Sequence, residues 1–325
     1  MRRMENKRVN FVQAINDGIM EEMEKDSSII LYGQNMALTD DDPFVKKFGK
    51  DRVRFTPISE TAEAGMAIGA SMTGLKVIVD LVMTDFMLVA MEQLLNQAPR
   101  MRFSTGGQVK LNVVFKAGFG FIYGWSTTHS NTWYELFMRA FGSKLVIPST
   151  PYDAKGLIKS AIHDGNPVFY LTPFNLYAME EDIPVKEYYI PLGKADIKRE
   201  GNDVTVIAIG WMIQKALGVA DKLAKEGISV EVIDPRTLIP LDKKTIFSSL
   251  EKTGRLVIVD QAPKTGSAAS EISAVVAEEA FHLLKAPIKR VCSLDTSVAY
   301  SKPLEEYTIP DEMKIIKAIQ EVLHV

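Results

Sequence analysis

Thr56-Pro57-Ile58-Ser59-Glu60, continued by Thr61 to Gly74, is the stretch on which the reading of this chain turns. Val53, Phe55 and Ile58 are strand-type residues, and Pro57 suits a strand end better than a helix interior. The pattern predicts a strand over residues 53–58 that delivers Glu60 to the start of a helix. That helix is rich in small residues (Ala62, Ala64, Gly65, Ala67, Gly69, Ala70, Ser71), which let another backbone approach closely. Glu60 has two readings. It is a helix-start acid favoured by the macrodipole, or a site residue at the carboxyl end of a parallel strand, where open α/β sheets bind ligands.

Outward from this stretch, strand and helix signals alternate. Phe11, Ile15, Ile19 and Met23 have helical spacing, with Asn10 as cap. Strands are expected at residues 29–32, 76–81, 111–115, 145–147 and 168–171, and one helix over residues 84–101, bent by Pro99. Asp40-Asp41-Asp42-Pro43 reads as a solvated turn or, with three acids, a metal loop. From Thr172 to Glu200 the periodicity fades, which puts a boundary there and predicts domains over residues 1–190 and 191–325. Alternation resumes to a last helix over residues 311–323, with Gly227 as a C-cap glycine. Such alternation with short loops implies parallel sheets covered on both faces, so the fold class is α/β with two domains.

Composition excludes little but helps. With 325 residues the chain can bury two cores, and a net charge of −3 argues against a nucleic-acid or anionic-membrane footprint. The single cysteine, Cys292, allows no internal disulfide, and the charged N-terminus lacks a signal-peptide apolar run. A cytoplasmic protein is expected. There is no Gly-x-Gly-x-x-Gly after a strand and no Walker loop. The four histidines (His129, His163, His282, His324) have no metal spacing. His163 reads as a helix-end cation and His282 and His324 as surface or packing residues. Only His129 sits in a long glycine- and aromatic-punctuated loop, residues 117–130, of the kind that carries function.

Beyond these elements, a set of motifs occurs in fixed order: Thr56–Glu60, Met91-Glu92-Gln93-Leu94-Leu95-Asn96-Gln97-Ala98, Gly106-Gly107-Gln108, His129-Ser130, Lys144-Leu145-Val146-Ile147-Pro148-Ser149-Thr150-Pro151, Asp164-Gly165-Asn166-Pro167, Val232-Ile233-Asp234-Pro235-Arg236-Thr237-Leu238 and Ala262-Pro263-Lys264-Thr265-Gly266. In these the chain resembles the beta subunit of the decarboxylating component of 2-oxo acid dehydrogenase complexes (pyruvate, branched-chain and acetoin types). The resemblance implies a pyrimidine-binding domain joined to a transketolase C-terminal-type domain, with thiamine diphosphate shared with a separate alpha subunit that holds Mg2+. It implies an alpha2beta2 assembly with a beta–beta contact, and a lipoyl-bearing acyltransferase as partner. In the family the acid at the Glu60 position hydrogen-bonds N1′ of the aminopyrimidine. That bond favours the imino tautomer, which removes the thiazolium proton. Ile58 and Phe86 match cofactor-binding positions, and His129 a proton relay or substrate contact. The backbone carbonyls of Val113, Ala161, Ile162, Asp164 and Asn166 match a potassium site found in some members.

The chain also departs from the family. Gln34-Asn35 replaces an acidic pair, Glu63 an apolar position, Asn131 a glutamine, Arg139 a second histidine, Phe141 a proline, and Asp260-Gln261 a histidine–acid pair. Arg139 is either a fork for a substrate carboxylate or phosphate or an exposed helix cation. Two alternatives to the dehydrogenase reading follow from these departures: a two-subunit transketolase-like carboligase, and a catalytically silent scaffold paralogue.

Overall fold

Asn10 closes strand β1 (Asn6–Asn10) and opens helix α1 (Phe11–Lys25). Its side chain accepts from the Gln13 amide at 2.8 Å, and Gln13 Oε1 accepts from the Asn10 amide at 3.0 Å. This reciprocal cap satisfies two donors that the helix itself leaves orphaned. The computed structural model describes residues 5–34, 41–121 and 124–324. Asn35, Asp40, Ile122 and Tyr123, which belong to stretches singled out above, lie outside the described residues. The chain divides into two compact units: Met1–Phe119 with Leu136–Leu192, and Gly120–Glu135 with Gly193–Val325.

In chain order the next elements are β2 (Ile29–Gly33), α2 (Pro43–Phe48), β3 (Val53–Phe55), α3 (Glu60–Met72), β4 (Lys76–Met83), α4 (Thr84–Met87), α5 (Met101–Ser104) and β5 (Val113–Phe119). Then come α6 (Tyr134–Phe137), β6 (Lys144–Val146), α7 (Pro151–Ile162), β7 (Val168–Pro173) and β8 (Glu180–Pro184). The first unit's sheet runs β6-β7-β5-β4-β2-β3, every pairing parallel. β7 is buried throughout and β5 nearly so, as a parallel sheet with both faces covered requires. α1 lies on α7: a Cβ at Gly18 would sit 2.8 Å from Ile158 Cγ2. Between them Lys159, with a fully buried side chain, meets Glu21 at 2.7 Å and Glu22 at 3.3 Å. His163, read above as a helix-end cation, caps α7 and sets its Nε2 2.6 Å from Glu22 Oε2 at the exposed side of this cluster.

Three local expectations change. The strand expected over residues 53–58 stops at Phe55: the Thr56 amide makes the last ladder bond, to the Gly33 carbonyl, and Pro57 has no N–H to continue it. The single helix expected over residues 84–101 is broken: α4 passes into a 3-10 turn (Leu88–Ala90) and a π-helical turn (Glu92–Gln97). Glu92 accepts from Asn96 at 2.8 Å and from Gln97 at 2.9 Å, and the five-residue span suits the wider π turn. Within the stretch read as a featureless boundary, β8 pairs antiparallel with β1, Asn6 opposite Pro184 and Asn10 opposite Glu180.

The second unit holds β9 (Asp196–Arg199), β10 (Val204–Ala208), α8 (Met212–Ala224), β11 (Val230–Asp234), β12 (Thr237–Ile239), α9 (Lys243–Thr253) and β13 (Leu256–Pro263). It continues with α10 (Ala268–Glu279), β14 (Lys289–Ser293), α11 (Lys302–Thr308) and α12 (Glu312–Leu323). Its sheet runs β14-β13-β10-β11-β9, parallel except for β9 at the edge. Val206, Val232, Val257, Ile213, Val219 and Ile319 form the centre of its core. Gly227 turns the chain out of α8 at φ +82°, and the Ile228 amide returns to the Leu223 carbonyl at 3.0 Å. Among the described residues no helix is long and apolar enough to cross a membrane.

Candidate active site

In the first unit the chain leaves β2 for β3 on one side and returns to β4 on the other. The strand order therefore reverses around β2, and its carboxyl end is where a crevice forms in an open α/β sheet. Gln34 is the first residue past β2, and Glu60 opens α3 just beyond β3. They meet: Gln34 Nε2 donates to Glu60 Oε1 at 2.9 Å and to Glu63 Oε2 at 3.3 Å. Thr56 Oγ1 donates to the other Glu63 oxygen. All four side chains are buried, Glu60 at 7% and Glu63 at 1% exposure. Glu60 and Glu63 share one helix face at the i, i+3 spacing. Burial pushes the Glu63 carboxyl above the usual range, and Glu60 and Asp80 add to this, against the hydrogen bonds from Thr56 and Gln34.

Strain marks the same sheet edge. Val82 stands at φ +66°, unusual for a β-branched residue, where β4 slips register between Asp80 and Met83. Its amide donates to Asp80 Oδ1 at 3.0 Å, and Asp80 Oδ2 pairs with Lys116 at 2.7 Å. Phe86, half-buried, lies on α4 directly after this bulge. The turn after α4 is tied to α3 by Thr61 Oγ1, which donates to the Val89 carbonyl at 2.8 Å. Ile58 is 79% exposed in the turn before α3. The aromatic, the exposed aliphatic and the acid thus all follow the carboxyl ends of neighbouring strands of one sheet.

His129 belongs to the second unit. It is half-buried, its ring edge-on to Trp125 at 6.1 Å between centroids, and its Nδ1 lies 2.8 Å from Thr128 Oγ1. The next residue, Ser130, turns inward to a cavity of about 60 Å³ that Glu135, Gln261, Phe121 and Leu294 also line. Ser130 Oγ, Glu135 Oε2 and both amide atoms of Gln261 have no hydrogen-bond partner among the described residues. The cavity has room for a few waters. Beside it Tyr134 donates to Asp260, which also accepts from the amides of Ala262 and Ala269 at 3.0 Å. Sequence reasoning missed Glu135, since nothing local marks an acid as buried.

Glu135 makes a measurable prediction. Burial, with the Asp260 carboxyl nearby, pushes its pKa from the ordinary 4.5 up to about 7. Between those pH values the folded chain keeps a proton that the unfolded chain has lost, so this group's contribution to stability falls as pH rises through the window. Glu135→Gln is expected to gain on the order of 2 kcal/mol at about pH 8 and nothing at about pH 4. Urea midpoints at the two pH values check this.

Arg139 is exposed in the turn after α6. Of the five carbonyl positions, Val113 begins β5, Ala161 and Ile162 end α7, and Asp164 and Asn166 lie in the turn that follows. A Cβ at Gly165 would lie 3.7 Å from Asn112 Oδ1, which sets this turn beside the residue preceding Val113. The Ala161 carbonyl accepts from the Asp164 amide at 3.4 Å, Asp164 pairs with Lys144, and Asn166 Oδ1 accepts from Arg102 at 2.9 Å. Among the described residues no three His, Cys, Asp or Glu side chains group as metal ligands.

Comparison with known proteins agrees with this arrangement. Residues 7–179 match the transketolase pyrimidine-binding domain and residues 193–315 the transketolase C-terminal domain. The beta subunit of acetoin:2,6-dichlorophenolindophenol oxidoreductase from Bacillus subtilis is 41% identical over 97% of both chains. Its Cupriavidus necator counterpart is 41% identical over 95% of this chain and 96% of its own. The 2-oxoisovalerate dehydrogenase beta subunit of Bacillus subtilis is 36% identical over 97% of this chain and 98% of its own. A split-gene transketolase, solved as an inactive beta4 tetramer, has the same fold, with a TM-score of 0.80 at 22% identity over 97% of this chain and 98% of its own. With the acid at the switch of a parallel sheet and near full-length matches on both sides of it, the chain belongs to the transketolase-type family of acetoin and 2-oxo acid dehydrogenase beta subunits.

Proposed function

We propose that this chain is the beta subunit of a thiamine diphosphate-dependent acetoin or 2-oxo acid dehydrogenase, completing its active centre with a separate alpha subunit. The observation that carries the reading is the buried Glu60 carboxylate, pinned through one oxygen by Gln34 at the switch of the sheet. A buried carboxylate whose second oxygen takes no hydrogen bond from the described residues, beside a half-buried aromatic, fits an aminopyrimidine. When bound, thiamine diphosphate supplies an electron sink for cleavage at a carbonyl carbon. Glu60 holds a proton toward N1′, and Ile58 and Phe86 line the ring. His129 contacts substrate or relays a proton, and Arg139 offers its guanidinium fork to an anionic group. Mg2+ is held by the alpha subunit, and the carbonyls of Val113, Ala161, Ile162, Asp164 and Asn166 hold K+, for which oxygen-only ligation is suited.

The working form is an alpha2beta2 cytoplasmic enzyme with a beta–beta contact, and a lipoyl-bearing acyltransferase takes its acyl product. The pyrimidine-binding domain spans residues 1–190 and the C-terminal one residues 191–325, with the Gly120–Glu135 segment of the first range folded into the second compact unit. The higher identity to acetoin-named relatives puts acetoin first among substrates to assay. The test is co-expression with an alpha subunit of this family and assay of acetoin, pyruvate and 2-oxoisovalerate with an artificial electron acceptor. Acceptor reduction that requires both subunits and thiamine diphosphate is expected. Two-carbon transfer between sugars without acceptor reduction would replace this reading with the carboligase one.

A further inference from the structure

We propose that Glu63 is a positioning residue for Glu60: anchored by Thr56, it holds the Gln34 amide that in turn fixes one oxygen of the Glu60 carboxylate. The inference rests on the cofactor reading of Glu60 and extends it to residues that reading does not name.

The geometry leaves little freedom. An amide nitrogen has two hydrogens, and Gln34 spends them on Glu60 Oε1 at 2.9 Å and Glu63 Oε2 at 3.3 Å. Both acceptors must be oxygens, so the amide can face only one way. The remaining Glu63 oxygen accepts from Thr56 Oγ1, and the Glu63 carbonyl accepts from Tyr32 at 2.8 Å. Each member is buried, so each lost bond leaves an uncompensated polar group. The charged or titratable groups facing Glu63 are Glu60, Asp80 with its partner Lys116, and Tyr32. With Gln34 neutral, the site has its two acids on one helix face with the amide spanning them. An acid at position 34 would put three carboxylates there, and an apolar residue at 63 would leave the amide's second hydrogen unpaired.

A Glu63→Gln variant keeps the volume but turns one acceptor into a donor: facing Gln34 it sets donor against donor, and facing Thr56 it makes the hydroxyl accept where it had donated, loosening the anchor. In the reconstituted complex it is expected to lower kcat about 10–100-fold with substrate KM nearly unchanged. It should also weaken thiamine diphosphate binding by calorimetry and move the acid limb of the pH–rate profile. Thr56→Val should act in the same direction, and Thr56→Ser, which keeps the hydroxyl, should restore wild-type behaviour. In the chain without its alpha partner, the infrared carboxyl band identified by its loss in Glu63→Gln should titrate above the ordinary glutamate range, a readout independent of cofactor and turnover. Unchanged pH profile, cofactor affinity and kcat in Glu63→Gln and Thr56→Val, with only thermal stability reduced, would overturn the inference. If Glu60→Gln is without effect, the cofactor reading itself fails, so the two failures are told apart.

Discussion

Glu60→Gln in the reconstituted enzyme lowers turnover by about 10²–10⁴-fold, the range for loss of a positioned acid–base group. The amide matches the carboxylate in size, and its oxygen can still accept from Gln34 at the 2.9 Å separation seen for Glu60. Folding and the sheet edge should therefore survive, and the loss falls on chemistry. An amide cannot carry the proton that the aminopyrimidine nitrogen shares with a carboxylate. Steady-state rates with acetoin, together with calorimetric titration of thiamine diphosphate, separate a lost proton from lost binding. Wild-type turnover in this variant would falsify the assignment of Glu60.

The largest stability effect is expected at Lys159. Its side chain is fully buried between α1 and α7, within 2.7 Å of Glu21, 3.3 Å of Glu22 and 3.2 Å of Glu187, with the Tyr189 ring 4.7 Å away. Glu22, 1% exposed, also takes His163, Tyr189 and Lys25. Burial opposes its charge, but these partners hold its carboxyl below the usual range. Lys159→Met fills the space and removes the buried cation that faces Glu22. Glu22 then sits in a low-dielectric pocket with weaker compensation, and a loss of about 3–5 kcal/mol is expected. Lys25→Met is the control. Its side chain is 46% exposed, so its ion pair contributes about 1 kcal/mol or less. Urea unfolding of the two variants, with equal midpoints as the contrary outcome, decides the point.

What the sequence reveals and what it hides follow the range of the interactions. Asn10, Gly227 and the strand–acid–helix junction at Glu60 are local signals, and each stands where it was read. The alternation that implied covered parallel sheets is equally local and appears in both units. Glu63 was hidden because an acid in a first helical turn is unremarkable until its partners, Gln34 and Thr56, are seen to arrive from two strand ends. His163 stands at the end of α7 as read, but its partner, Glu22, lies on a different helix and could not be seen in the sequence. The π turn at Glu92–Gln97 escapes any 3.6-residue pattern, since its apolar residues fit an α-helix equally well. β8 is three consecutive acids followed by Ile183-Pro184, which resemble a linker until β1 is found beside it.

The buried Asp260 cluster also determines how the chain responds to thiol reagents. Cys292 is the one cysteine in the sequence. Burial, with Asp260 beside it, pushes its thiol up to about 12, so at neutral pH almost none of it is thiolate. The native chain is therefore expected to react slowly with maleimides and iodoacetamides, which a thiol titration of the folded chain checks. A cysteine introduced at an exposed position, such as Phe103 or Phe141, would be modified against a blank background. Fluorophores and spin labels can be placed on this subunit without first removing a native residue.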